Sequence, residues 1–195
     1  ATTEGITPAP FVAATAYRNP ALTAKIAETI DEISGGRFIL GLGSGWAKPE
    51  YDAFGFPYDH RASRFEEAIK IITSLIRTGH VDFEGEYYSA RDCELRPRGP
   101  RPEGMPIMIG TFEGERMMRL TARYADHWNL WANATGNRAA NIPALREKMD
   151  GFCREIGRDP ATLERSVAVL VDFPGAYGRP GQPVPSLTGS PEEIA

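Results

Sequence analysis

Ser34-Gly35-Gly36-Arg37-Phe38-Ile39-Leu40-Gly41-Leu42-Gly43-Ser44-Gly45-Trp46 is the stretch that decides the fold class of this chain. Gly35 and Gly36 are expected to end an amphipathic helix, because glycine takes the left-handed cap without a Cβ penalty. Phe38 to Leu42 is a short apolar run, as expected of a strand buried on both faces. Gly43-Ser44-Gly45 then frees backbone N–H groups where that strand ends, and Trp46 sets a large flat ring beside them. Folds with parallel strands place cofactors and substrates at this carboxyl end.

On the amino side, Phe11 to Thr15 reads as a strand, and Asn19-Pro20 as a helix start with Asn capping and Pro in the first turn. Leu22, Ile26, Ala27, Ile30 and Ile33 recur at helical spacing and predict the buried face of that helix. On the carboxyl side comes an aromatic-rich loop with Tyr51, Phe54, Phe56 and Tyr58, then a helix from about Ser63 to Arg77. Val81 to Tyr88 reads as a hairpin turning at Glu84-Gly85-Glu86, and the prolines of 96–102 forbid helix. Strand 106–110, helix 115–124, strand 126–131, helix 143–156 and strand 166–173 follow, and 174–185 is Gly- and Pro-rich loop.

Strands alternating with helices imply an α/β fold with a parallel sheet. Only about five such units are present, whereas a (β/α)8 barrel needs eight and about 250 residues. The pattern therefore leaves an open doubly wound sheet and a TIM barrel both standing. A single domain over 1–195 is expected, with the hairpin and irregular segment inserted at about 80–104.

The chain has 195 residues with 22 basic against 26 acidic side chains, a net charge of −4, which offers nothing to nucleic acid or an anionic membrane. Two cysteines, Cys93 and Cys153, are too few for a disulfide framework and fit a reducing cytoplasm. No apolar run approaches the roughly 20 residues of a membrane span, and no secretory signal is visible. The chain opens without Met and stops at Glu192-Glu193-Ile194-Ala195, which reads as a helix start, so both ends are expected to be cut.

Two loops carry candidate chemistry. Gly41-Leu42-Gly43-Ser44-Gly45-Trp46 lacks the Lys-Ser/Thr of a Walker loop and the immediate helix of a dinucleotide fingerprint. Gly110-Thr111-Phe112-Glu113-Gly114-Glu115-Arg116 runs from a strand into a helix, where N–H groups and the positive helix end suit a phosphate. Arg116 adds a donor in the first helical turn. A phosphate cradle, an aromatic wall and little acid–base machinery suggest a redox cofactor that brings its own chemistry. Trp46, Tyr51 and His127 are the substrate-side candidates, and no spacing suggests a metal site.

The sequence resembles the luciferase-like flavin or deazaflavin oxidoreductases. The resemblance rests on Arg18-Asn19-Pro20-Ala21-Leu22, Ile33-Ser34-Gly35-Gly36-Arg37, Gly41-Leu42-Gly43-Ser44-Gly45-Trp46, Arg64-Phe65-Glu66-Glu67-Ala68, Phe83-Glu84-Gly85-Glu86-Tyr87-Tyr88, Pro106-Ile107-Met108-Ile109-Gly110 and Ala122-Arg123-Tyr124-Ala125-Asp126, in the family's order. It implies a TIM barrel, present here without about the first three strands and the last helix. It implies that Gly43, Ser44, Gly45 and Trp46 contact the cofactor's ring and tail, and that Gly110, Thr111, Phe112, Glu113 and Arg116 hold its phosphate. Ser44 replaces a phosphate-binding Arg of bacterial luciferase, and Trp46 a catalytic Glu of deazaflavin sugar-phosphate dehydrogenases. Leu42-Gly43-Ser44-Gly45-Trp46 with Ala125-Asp126 resembles the deazaflavin branch, so the reading is an F420-dependent oxidoreductase acting on a small organic substrate. An FMN-dependent monooxygenase using O₂ is the alternative, and a non-catalytic flavin-binding protein the second. Homodimers are common in this family.

Overall fold

Asn19 caps the first helix as its sequence predicts, its Oδ1 accepting from Ala21 N at 2.9 Å and Leu22 N at 3.4 Å. The computed structural model describes residues 3–112, 114–172 and 185–189. These residues divide into two compact units, one of 1–109 with 124–126 and one of 110–123 with 127–195.

In the first unit, β1 (Ala13–Ala14) pairs with β2 (Leu40–Gly43), and β2 with β5 (Ile107–Gly110), all parallel. All four residues of β2 are buried, as a central parallel strand requires. Gly41 has no room for a side chain, because a Cβ there would collide with the Pro10 carbonyl and Met108. Helix α1 (Pro20–Ser34) ends at Gly35 with φ 68°, and α3 (Arg61–Thr78) at Gly79 with φ 80°. Phe65, Ala68, Ile69, Ile72 and Ile76 of α3 are buried, the face that its periodicity predicts. The peptide Phe11-Val12 is cis.

The buried face of α1 differs from expectation. Leu22, Ile26 and Ile33 are 52%, 39% and 64% exposed, while Thr23, Ala24, Ala27, Glu28, Asp31 and Ser34 are buried. Small side chains let α1 lie close to α3, and the irregular segment 95–104 engages two carboxylates, Glu28 through one oxygen and Asp31 through both. Gly99 N–H donates to Glu28 at 2.5 Å, and Arg101 grips Asp31 through Nε at 3.0 Å and a terminal nitrogen at 2.6 Å. Specific polar pairing outweighs the hydrophobic stripe. Ile33→Lys is therefore expected to leave the unfolding free energy from urea titration within about 0.5 kcal/mol of wild type, as for an ordinary surface change.

Two further elements correct the sequence reading. The aromatic loop contains a seven-residue helix, α2 (Lys48–Phe54), with Pro49 tolerated in its first turn. The hairpin is longer than Val81 to Tyr88, pairing β3 (His80–Glu84) with β4 (Ser89–Glu94). Its turn is latched to α3 because the Glu67 carboxylate accepts the N–H groups of Glu86, Tyr87 and Tyr88 at 2.9–3.0 Å. Arg37 donates to the carbonyls of Ser34, Thr3 and Ile6 and so ties the N-terminal segment to the end of α1.

In the second unit, β6 (His127–Trp131) pairs in parallel with β7 (Glu164–Ala168). Helix α4 (Glu115–Tyr124) has the bounds its sequence predicts. Short α5 (Ala132–Thr135) and α6 (Ile142–Glu155) follow β6. The expected strand 166–173 is broken, and β8 (Val171–Asp172) pairs with β9 (Leu187–Thr188) instead. Buried Asn137 makes that break, donating to the Leu170 and Pro185 carbonyls at 2.9 Å each and accepting from Leu170 N–H at 3.1 Å. Phe173, the loop 174–184 and the expected helix start at 192–195 lie outside the described residues.

Candidate functional site

In the first unit the predicted residues cluster at the carboxyl end of β2. Gly43 closes the strand, Ser44 and Gly45 turn away from it, and Trp46 stands 77% exposed. Thr15, just beyond β1, donates to the Gly43 carbonyl at 3.4 Å and ties the two strand ends together.

Tyr51 corrects its assignment to the substrate side, because it is 0% exposed. Its hydroxyl donates to the Ser44 carbonyl at 2.8 Å, and that of Tyr58 to the Trp46 carbonyl at 3.2 Å. Two tyrosines thus grip the loop by its backbone. Tyr51 packs edge-on to Tyr17, with centroids 4.9 Å apart, and to Tyr58 at 5.2 Å, while Tyr17 stacks on Phe56 at 5.2 Å. The Arg61 guanidinium lies 3.8 Å from the Tyr58 ring centroid. Sequence reasoning missed Tyr17, although the same strand-end rule that marks Trp46 applies to it.

Tyr17 also donates to the Glu50 carboxylate at 3.0 Å. Desolvation, reinforced by that carboxylate, pushes its hydroxyl up from 10.0 to about 12. Burial likewise raises Tyr51. For a group whose folded pKa is raised, the unfolded chain ionises first as pH rises, so the Tyr17 contribution is whole below 10.0 and lost towards about 12. An ultraviolet titration should show a late tyrosinate step that Tyr17→Phe diminishes without removing, because burial raises Tyr51 as well.

In the second unit, Thr111 is 8% exposed, its N–H donating to the Asn129 carbonyl at 3.1 Å, and Phe112 is 45% exposed. Gly110 ends β5, and Arg116 lies exposed in the first turn of α4. Glu113 lies outside the described residues.

His127 is the first residue of β6, four residues before Trp131 and so about 13 Å from the strand's carboxyl end at ~3.3 Å per residue. That is the wrong end of a parallel strand for a substrate-side role. Its Nε2 lies 2.7 Å from Ser166 Oγ, which also accepts from Asn129 Nδ2 at 2.7 Å. Period-two alternation puts His127 and Asn129 on one face of β6, so this polar network was open to sequence reading. A concavity of about 430 Å³ in this unit, lined by Trp128, Leu130, Ile142, Arg146, Leu163 and Val167 among others, includes none of the sequence-predicted residues. No group of three metal-ligating side chains occurs among the described residues, and no described helix is long and apolar enough to cross a membrane.

The family model of the luciferase-like monooxygenases matches residues 2–172. The chain belongs to that family. Pyrimidine monooxygenase RutA of Enterobacter cloacae subsp. cloacae is 35% identical over 153 residues, covering 74% of this chain and 41% of the relative. The chain thus spans less than half the length of that relative. An F420-dependent secondary alcohol dehydrogenase, solved with an F420-acetone adduct, superposes with a TM-score of 0.73 at 23% identity, over 88% of this chain and 52% of that one. The monooxygenase RslO1 from Streptomyces bottropensis gives 0.74 at 17% identity, over 85% and 50%. At such identities the luciferase-like α/β barrel fold is what is shared.

Within this family the Ala125-Asp126 pattern loses its weight as a cofactor marker. Asp126 accepts from Ile107 N–H at 2.7 Å and from Arg77 at 2.5 Å, so it locks the start of β5 to α3. That is a structural duty, indifferent to which cofactor is bound.

Proposed function

We propose that this chain carries the cofactor site of an FMN-dependent monooxygenase acting on a planar nitrogen heterocycle of the pyrimidine class. The observation that carries the reading is the 35% identity to a pyrimidine monooxygenase over 74% of the chain, against fold-level likeness alone to F420 enzymes. The residues fit a flavin-type group. A flat, exposed Trp46 beside a loop without large side chains offers a ring surface, and Tyr51 and Tyr58 hold that loop by its carbonyls.

When bound, reduced flavin supplies two electrons to O₂, so that one oxygen atom enters the substrate and the other leaves as water. Gly43, Ser44, Gly45 and Trp46 contact ring and tail. In the second unit the positive end of α4, with Arg116 in its first turn, is by itself suited to an anion, and the Thr111 N–H is already given to the Asn129 carbonyl. Trp46 and Phe54 exclude water beside the reacting ring. The substrate is small, and a homodimer is the expected assembly.

The test is oxygen uptake by the chain with reduced FMN, before and after addition of uracil. Uracil-dependent uptake with an oxygenated product supports the reading. Oxidation of reduced F420 instead, with no oxygen consumed, would transfer the site to the deazaflavin reading, and binding without turnover to a flavin carrier. Trp46→Ala should leave melting within about 0.5 kcal/mol of wild type. It should weaken FMN binding threefold to tenfold, the worth of an aromatic contact of about 1 kcal/mol. A collapse in melting would make Trp46 part of the core.

A further inference from the structure

Tyr51 spends its hydroxyl on a backbone carbonyl of the loop that leads to Trp46, and that bond fixes more than the carbonyl. The Ser44–Gly45 peptide is trans, since the cis peptides are Phe11-Val12 and Arg96-Pro97. In a planar trans peptide the C=O of one residue and the N–H of the next point in opposite directions. The Ser44 carbonyl points at buried Tyr51, 2.8 Å from its hydroxyl. The Gly45 N–H therefore points away from Tyr51, and no described residue accepts from it. Residue 45 also has to be glycine, because φ is +75° and a Cβ would collide with the Tyr51 hydroxyl and ring. Tyr51 has no freedom to yield, being 0% exposed and flanked by Tyr17 and Tyr58.

We propose that Tyr51 is a positioning residue: by holding the Ser44 carbonyl it turns the Gly45 N–H outward as a hydrogen-bond donor to an acceptor oxygen of the bound flavin. This rests on the flavin reading above and assigns the loop its orientation and its donor. The acceptor is either a ring carbonyl or a phosphate oxygen, and the ligand used in the test separates the two. Tyr51 itself touches no ligand.

The experiment follows the Gly45 amide of the ¹⁵N-labelled full chain by NMR during titration with FMN, and separately with riboflavin, which has the ring but no phosphate. The expected result is a downfield shift of the Gly45 proton. A shift with both ligands assigns the ring carbonyl, and a shift with FMN alone the phosphate. In Tyr51→Phe the shift should vanish and the FMN Kd rise about tenfold, the worth of one hydrogen bond. Ile76→Val serves as a control for stability, since it trims the core of the same unit and should leave both the shift and the Kd unchanged. If wild type binds FMN while the Gly45 proton stays still, or Tyr51→Phe binds as tightly, the positioning role is wrong and the flavin reading survives. If wild type binds neither ligand, both fall.

Discussion

Asp31→Ala is expected to cost this fold about 3 kcal/mol, the low end for stranding one partner of a buried ion pair. The Asp31 side chain is 1% exposed and that of Arg101 28%. One carboxylate holds three segments: the last turn of α1, the approach to β2 through Phe38 N–H at 3.2 Å, and the 95–104 segment through Arg101. Arg101 also donates to the Phe38 carbonyl at 2.5 Å. Removing the carboxylate leaves a buried amide without its acceptor and a guanidinium without its counter-charge. Partial exposure lets Arg101 recover some hydration, which keeps the loss near the lower bound. Against a total stability of roughly 5–15 kcal/mol this is a large share. Urea unfolding at constant slope should show it as a shifted midpoint. A loss below about 1 kcal/mol would mean that the pair is not what closes this part of the fold.

Gly45→Val should abolish useful cofactor binding, raising the FMN Kd at least about a hundredfold. The valine meets two obstacles at once. A β-branched residue at φ +75° is strained by about 1–3 kcal/mol, and its Cβ runs into the Tyr51 hydroxyl and ring. Relief needs the loop to move, and every route displaces Trp46 and the Ser44–Gly45 peptide together. About 2.8 kcal/mol or more of misfit at the contact surface corresponds to the predicted loss. Gly45→Ala should fall between wild type and valine. Unchanged FMN affinity in Gly45→Val would remove this loop from the site altogether.

Local signals were legible in the sequence because they close within a few residues. The Asn19 cap, the glycine stops at Gly35 and Gly79, the bounds of α4 and the apolar face of α3 all depend on i to i+4 relations. The face of α1 was not legible, because hydropathy favours Leu22, Ile26 and Ile33, whereas Glu28 and Asp31 find partners about seventy residues away. Long-range pairing of this kind leaves no periodic trace. The same holds for Tyr51: in sequence it is one aromatic in a Pro- and Gly-punctuated run, and only the fold shows its hydroxyl seated beneath Ser44. The site's location was legible as a strand-end loop, and the division of labour within it was not. His127 opens β6, and the strand-end rule that marks Trp46 already sets the first residue of a parallel strand away from the site.

The most direct test of the central claim is equilibrium titration of the chain with FMN and with F420 at matched concentrations, followed by quenching of each cofactor's fluorescence. Saturable binding that favours FMN, and that Gly45→Val abolishes, is the predicted result. Preference for F420, or binding of neither, would contradict it.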